Sequence, residues 1–283
     1  MEPVKPAFGI LAVGAAGPSA GLVIPELLKR GASVRGFVHT SEDEIAARKL
    51  GLTDIVVGDL ADASAVEQAL KGMKAAFYIA PVLLDNEAEV GQQFVSAAKR
   101  ADVRRVVFSS VIHPILSELV NHAAKASVEE ALLDSGMEYV FLHPAMFYQN
   151  FTASWAKVKE SSVYGEPWSN ETLFTRVDYR DVAEVAAIAL TEDRLLYGTF
   201  ELCSEGNLNR HDVAALMGEV LGRKVTPQKI ELPRQGGPPP KLGRMFAWYD
   251  KHPLLGNATT LRAILKREPR TLRAFFEELN AQD

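Results

Sequence analysis

The chain carries a single cysteine, Cys203, among 283 residues. No intramolecular disulfide can form, and such usage fits a reducing compartment. In TFELCS this residue reads as a small apolar strand side chain. Positive charge is not in excess either: 31 Lys and Arg stand against 36 Asp and Glu, a formal net charge of −5. The basic residues are dispersed, so no electrostatic footprint for nucleic acid is present. Long apolar runs are missing as well. The opening MEPVKPAFGILAVGAAG has an early acid, an apolar stretch too short to span a bilayer and glycines where a helix should continue. It reads as the first strand of a cytoplasmic protein with no membrane partner. The tripeptides beginning at Asn150, Asn170 and Asn257 match a glycosylation acceptor, but without a secretion signal they are chance matches. Paired-Cys or His-rich spacings for a metal are lacking, as is the G-x-S-x-G elbow of acyl transfer. No internal repeat is evident.

What is present is core-forming material: 47% of residues are hydrophobic and 24% charged, enough for one large α/β domain with a small appendage. From the start to about Leu142, short apolar runs alternate with helical patterns. FGILAV leads to LVIPELLKRG, SVRGFV to SEDEIAARKLG, DIVVG to ASAVEQALKG, AAFYIA to AEVGQQFVSAAKRA and RRVVFSS to KASVEEALLDSG, and EYVFL closes the series. Strands apolar throughout, rather than at every second residue, indicate a parallel sheet covered on both faces. The spacing predicts a doubly wound architecture. Ser41 with Glu44, and Ser64 with Glu67, fit helix N-caps followed by an acid three positions on. Gly31, Gly51, Gly72 and Gly136 stand where helices should stop.

After Pro144 the rhythm changes to longer loops and many aromatics: Phe147, Tyr148, Phe151, Trp155, Trp168, Phe246, Trp248 and Tyr249. Two further helices are expected, YRDVAEVAAIAL, with Asp178 and Asp181 as acids at its start, and NRHDVAALMGEVLG. PRQGGPPPKLG, Pro233 to Gly243, reads as neither helix nor central strand. The expected division is a Rossmann domain over residues 1–144 and a smaller substrate-binding or lid lobe over 145–283, partly woven into the core. Most of the aromatics should form the lobe's own core.

VGAAGPSAG, Val13 to Gly21, closes the first strand and opens the first helix. Its spacing is G-x-x-G-x-x-x-G, not G-x-G-x-x-G, and the alternatives are a turn needing glycine only for its dihedrals or a cradle for a dinucleotide pyrophosphate. Here the chain resembles a family. VGAAGPSAG, VVGDLADASAVEQALKGMKAAFYIAP, RRVVFSSVIHP, KASVEEALLDSGMEYVFLHPAMFYQNF and VDYRDVAEVAAIAL together resemble, in order, the NmrA-like branch of atypical short-chain dehydrogenases/reductases. The resemblance implies a Rossmann core, NAD(P) binding, and either reductase activity or a dinucleotide-sensing role. It places Gly14, Ala16, Gly17, Pro18, Ser19, Ala20 and Gly21 around the pyrophosphate. Asp59 and Leu60 then flank the adenine, Ala80 and Pro81 lie over the ribose, and Pro144, Ala145 and Phe147 border the nicotinamide.

The second strand ends at His39, Thr40 and Ser41, with no acid before Glu42. A carboxylate there would bind a ribose 2′-hydroxyl and repel a 2′-phosphate, so its absence leans toward NADP(H) rather than NAD(H), with His39 and Thr40 beside the phosphate. Glu42, Asp43 and Glu44, acids of a helix's first turn, lie close enough to weaken such a site.

The resemblance also implies a Ser, and a Tyr four residues before a Lys, beside the nicotinamide. NHAAKASVEEAL offers Lys125, but the position four before it is Asn121, whose amide cannot titrate. Lys125 has two readings, a ligand for the nicotinamide ribose hydroxyls, as the resemblance implies, or a surface pair with Glu129 at i,i+4. Ser109 and Ser110 keep hydroxyls where the family's serine stands. His113, His122, Tyr148 and Asn150 are further candidates for polarising a carbonyl or supplying a proton; failing them, water or an acidic substrate supplies it. An apolar, aromatic-rich cleft suits a bulky quinone, aryl ketone or polycyclic substrate. The expected function is an NADPH-dependent ketoreductase or quinone reductase lacking the usual tyrosine. The alternatives are a non-catalytic redox-sensing regulator and a cofactor-free scaffold.

Overall fold

Alternation of apolar strands and amphipathic helices is what the chain forms. In the computed structural model, which describes residues 9–81, 84–232 and 238–282, the first eleven elements are β1 (Gly9–Val13), α1 (Val23–Lys29), β2 (Ser33–Val38), α2 (Ser41–Lys49), β3 (Asp54–Val57), α3 (Ala63–Leu70), β4 (Met73–Tyr78), α4 (Glu87–Arg100), β5 (Arg105–Ser109), α5 (Val120–Ser135) and β6 (Glu138–Pro144). There follow β7 (Met146–Phe147), α6 (Thr152–Ser161), β8 (Val163–Glu166), β9 (Phe174–Val177), α7 (Tyr179–Thr191), β10 (Gly198–Leu202), β11 (Asn207–Leu208), α8 (Arg210–Leu221), β12 (Thr226–Lys229), α9 (Pro240–Tyr249), α10 (Thr259–Leu265) and α11 (Leu272–Ala281).

The main sheet runs β10-β6-β5-β4-β1-β2-β3, seven strands, and the neighbours from β6 to β3 pair in parallel. The order reverses between β1 and β4, where a doubly wound sheet opens its crevice. Strands buried on both faces explain the unbroken apolar runs. Leu11, Val13, Ala76, Tyr78, Val106 and Phe108 point to one face, packed against Val66 of α3, Phe94 of α4 and Val128 and Leu132 of α5. Ile10, Ala12, Ala75, Phe77 and Val107, on the other face, are equally buried. Each large apolar side chain so covered contributes about 1.5–3 kcal/mol of transfer free energy.

The described residues divide into two compact units, one within Met1–Ile115, Asn121–His143 and Val182–Phe200, the other within Leu116–Val120, Pro144–Asp181 and Glu201–Asp283. In the second, a three-stranded sheet β11-β9-β7 and a two-stranded sheet β12-β8 accompany an aromatic core of Tyr148, Phe151, Trp155, Tyr164, Phe275 and Phe276. Trp168, Phe174 and Tyr249 form a further edge-to-face group, with ring centroids 5.2–5.6 Å apart.

Gly31, Gly51, Gly72 and Gly136 take positive φ at the helix ends, as expected. The N-caps differ. Thr40, not Ser41, caps α2, in a capping box with Asp43, and Asp62, not Ser64, caps α3 by accepting from the Ser64 N–H at 2.9 Å. In each case an earlier side chain with an extended backbone reaches the free amides first. The proline-rich segment also departs from expectation. Its end, from Pro240, is the first turn of α9, because proline at N1 lacks only an N–H that no helical carbonyl would accept. Pro233 to Gly237 lie outside the described residues. Among the described residues no helix is long and apolar enough to cross a membrane.

Candidate functional site

β5, β4, β1, β2 and β3 are consecutive neighbours in the sheet, and ligands of such sheets bind beyond the carboxyl ends of the strands. The segments leaving those five ends are the Ser109-Ser110 loop, Ala80-Pro81, the glycine turn, His39-Thr40 and Asp59-Leu60. All the candidates on these segments therefore lie along one edge of the first unit.

The glycine turn is held by its own backbone. The Gly14 N–H donates to the Phe37 carbonyl at 2.9 Å, Gly17 to Gly14 at 2.8 Å and Gly21 to Gly17 at 2.8 Å. Gly14 has φ +69°, a conformation that costs other residues about 1–2 kcal/mol. A Cβ on Gly17 would stand 3.1 Å from the Gly14 oxygen. The Ala16 and Ser19 amides donate to no group among the described residues, and neither residue is buried. Unengaged N–H groups on a backbone bared of side chains form an anion-binding concavity. The turn thus fits a pyrophosphate.

At the end of β2, His39 is exposed, while Thr40 is committed to its cap: its N–H donates to Asp43 Oδ2 and its Oγ1 accepts from the Asp43 N–H, both at 3.1 Å. A carboxylate thus stands one hydrogen bond from the residue after His39. Asp59 is exposed, and its Oδ1 accepts from the Ala61 N–H at 2.8 Å, a local turn. Leu60 lines a groove of about 340 Å³ with Ala63, Val66, Phe94 and Arg100. Ala80 is half-buried and Pro81 exposed.

α5 carries the polar machinery. Lys125 forms an ion pair not with Glu129 but with Glu87, the first residue of α4, which corrects the surface-pair reading. Its ammonium also lies 3.4 Å from the Asn121 carbonyl. Glu129 is instead occupied by Ser110, whose hydroxyl donates to it, and by His143 Nε2 at 2.8 Å. Ser109 and Ser110 are buried. His113, half-buried with φ +50°, accepts at its carbonyl from His122 Nδ1–H at 3.1 Å. Burial drives the His122 imidazole down to about 4, so it is neutral at ordinary pH.

Glu87 and His143 escaped the sequence reading, and Glu129 entered it only as a surface partner of Lys125, not as the partner of Ser110 and His143. Glu87 carried only the signature of an acid in a helix's first turn, and nothing local marks it as 98% covered, its exposure being 2%.

Pro144, Ala145, Phe147 and Tyr148 belong to the second unit. The Ala145 N–H donates to the Leu202 carbonyl at 3.1 Å, and the Phe147 ring meets Tyr179 edge-on at 4.6 Å. Tyr148 has the surroundings of a core side chain: it is 2% exposed, its hydroxyl lies 3.4 Å from the Arg270 carbonyl, and burial pushes its phenol up to about 12. Asn150 is exposed. Asp178 and Asp181 stand at the α7 start as expected, but both are buried. Asp178 accepts from Gln149 Nε2 at 2.8 Å, and Asp181 from the Arg270 N–H at 2.7 Å.

The pattern of the NmrA-like family matches residues 8–255. Among curated proteins, the chain is 26% identical over 219 residues to NAD(P)H azoreductase of Xenophilus azovorans, covering 76% of this chain and 75% of that protein. It is 27% identical over 231 residues to quinone oxidoreductase 2 of Escherichia coli (strain K12), covering 78% and 77%. Among solved structures, an NADPH-dependent quinone oxidoreductase from Escherichia coli complexed with NADPH superposes with a TM-score of 0.84 at 24% identity, covering 96% of this chain and 99% of that one.

Proposed function

The chain belongs to the NmrA-like family, and on that premise we propose that it is an NADPH-dependent reductase acting on a bulky aromatic or quinone-like substrate. The observation that carries this reading is the glycine turn, with Gly14 at φ +69° and the Ala16 and Ser19 amides unengaged among the described residues, on the sheet edge that also carries Lys125. Relatives named NAD(P)H azoreductase and quinone oxidoreductase 2 support the substrate class.

In this reading the amides between Gly14 and Gly21 hold the pyrophosphate. Asp59 keeps one carboxylate oxygen for the adenine amino group, with Leu60 against the ring. Ala80 and Pro81 cover the ribose, and Lys125 donates to the nicotinamide ribose hydroxyls. His39 and Thr40 face the 2′-phosphate. NADPH, when bound, supplies the hydride; the chain positions and orients it. Asn121 cannot donate the proton that a tyrosine would. Ser109, the last residue of β5, and His113, on the loop that follows, are the groups nearest that role by topology, while Tyr148 serves its own core. Incubation of purified protein with NADPH and a panel of quinones and aryl ketones tests the reading. Loss of NADPH absorbance is expected with some members, and none above background despite bound cofactor overturns it.

The amide at Asn121 favours a second reading, a dinucleotide-binding regulator that senses redox state. A sensor must bind NADPH and NADP⁺ unequally, since a ligand shifts only states it binds differently. Equal affinities for the two forms exclude it.

A further inference from the structure

Lys125 has three N–H donors and no acceptor. Glu87 takes one, and the Asn121 carbonyl stands at the limit of reach for a second, at 3.4 Å. Among the described residues at least one is left over. The pair is not a surface contact: the Glu87 side chain is 2% exposed and that of Lys125 16%. Burying two charges costs several kcal/mol per ion before their attraction repays it, so such a pair adds little to stability over an apolar one. Its placement is the informative feature. Glu87 opens α4, which follows β4, and Lys125 lies in the second turn of α5, which follows β5. Both helices therefore begin at the carboxyl edge of the sheet, and β4 pairs directly with β1, whose end is the glycine turn.

The surroundings hold the pair in place. α4 and α5 meet at Gly91, where even a Cβ would lie 2.3 Å from Val128 Cγ2 and 3.3 Å from the Tyr78 hydroxyl. That hydroxyl is buried with no hydrogen-bond partner among the described residues. Tyr78 stacks on Phe94 with centroids 4.5 Å apart, so the floor beneath Glu87 is rigid and apolar. A carboxylate on such a floor is turned away from water, and its one strong partner among the described residues is the ammonium.

We propose that Glu87 is a positioning residue of the dinucleotide site, fixing the Lys125 ammonium so that its remaining donor faces the carboxyl edge where the nicotinamide ribose hydroxyls bind. This rests on the reading of that edge as a dinucleotide site. Glu87 touches no cofactor atom; it acts through Lys125.

The test is a double-mutant cycle on NADPH affinity, read by fluorescence titration of the full chain, with a thermal melt of each variant as the folding control. Glu87→Gln and Lys125→Met are each expected to weaken NADPH binding by about tenfold. The double variant should be no weaker than Lys125→Met alone, because Glu87 has nothing left to position. Glu87→Asp keeps the charge and should recover part of the loss. Equal affinity of Glu87→Gln and wild type overturns the proposal, as does a double variant whose two losses multiply. Glu87→Gln leaves a buried ammonium without its partner and Lys125→Met a buried carboxylate without its partner; if either fails to fold, Glu87→Asp against wild type, which keeps both charges, decides the question, with weaker NADPH binding supporting the positioning role and equal affinity overturning it. Wild-type protein that binds no dinucleotide instead overturns the reading of the edge, and the inference falls with it.

Discussion

Replacing Gly14 with alanine isolates backbone conformation from space, because a Cβ there meets nothing closer than 3.7 Å while φ is +69°. The variant is expected to lose about 1–2 kcal/mol of stability and, as the turn relaxes away from positive φ, to bind NADPH more weakly; urea unfolding and fluorescence titration measure the two effects. His39 offers the opposite kind of change. Its neighbour Thr40 is already bound to the Asp43 carboxylate at 3.1 Å, so a 2′-phosphate would meet a negative charge with only an imidazole to offset it. His39→Arg supplies a permanent, bidentate cation and is expected to lower KM for NADPH by about tenfold, roughly 1.4 kcal/mol, with little change for NADH; steady-state kinetics with both cofactors decide. At this scale the sequence shows residue types and not partners. Lys125 stands out as a cation on a helix face, whereas Glu87 lies 38 positions away and looks like any acid in a first turn. Only the packing of α4 on α5 makes them a pair.

Helices and strands were legible because their cause is local. A parallel strand covered on both faces is apolar through its centre, as Ile10–Val13 of β1, Ala75–Phe77 of β4 and Val106–Phe108 of β5 are. Cap positions slipped by one or two residues, since Thr40 and Ser41, or Asp62 and Ser64, are equally good chemistry and only the backbone angle at the helix entry selects between them. The first turn of α9 was hidden by Pro238, Pro239 and Pro240, which forbid a helix interior but not its start. The closeness of two helices was also beyond the sequence. Gly91 within α4 lowers helix propensity without a visible reason, and the reason is Val128, whose Cγ2 would lie 2.3 Å from a Cβ there. Gly91→Ala is therefore expected to destabilise the protein by about 1–3 kcal/mol, against the usual gain from alanine in a helix. Because Gly91 shares α4 with Glu87, and Val128 shares α5 with Lys125, parting the helices should weaken NADPH binding too. Thermal melts and titration of this one variant report both effects.

Across the whole molecule, pH sets stability through groups whose protonation differs between folded and unfolded chains. His122 is the clearest in the first unit: desolvation lowers its imidazole from 6.5 to about 4, while it donates from Nδ1 to the His113 carbonyl. Between those two values the unfolded chain binds a proton that the folded chain refuses. Stability from this residue is thus complete above 6.5 and lost as pH falls toward 4, a loss of up to about 3 kcal/mol. In the second unit Glu166 works with the opposite sign, because burial raises its carboxyl and favours the protonated form in the fold; its contribution fades as pH rises. The two overlap, so the net slope of wild type alone is uninformative. His122→Gln keeps an N–H donor for the His113 carbonyl and removes the titration, and the difference between the two proteins isolates the histidine. All three tryptophans, Trp155, Trp168 and Trp248, lie in the second unit, so their fluorescence follows that unit, whereas far-ultraviolet circular dichroism follows the helices of both. In urea unfolding followed by circular dichroism, wild type is expected to lose stability from pH 6.5 toward 4 relative to His122→Gln; parallel curves for the two proteins would show that His122 takes up its proton as readily in the fold as in the unfolded chain.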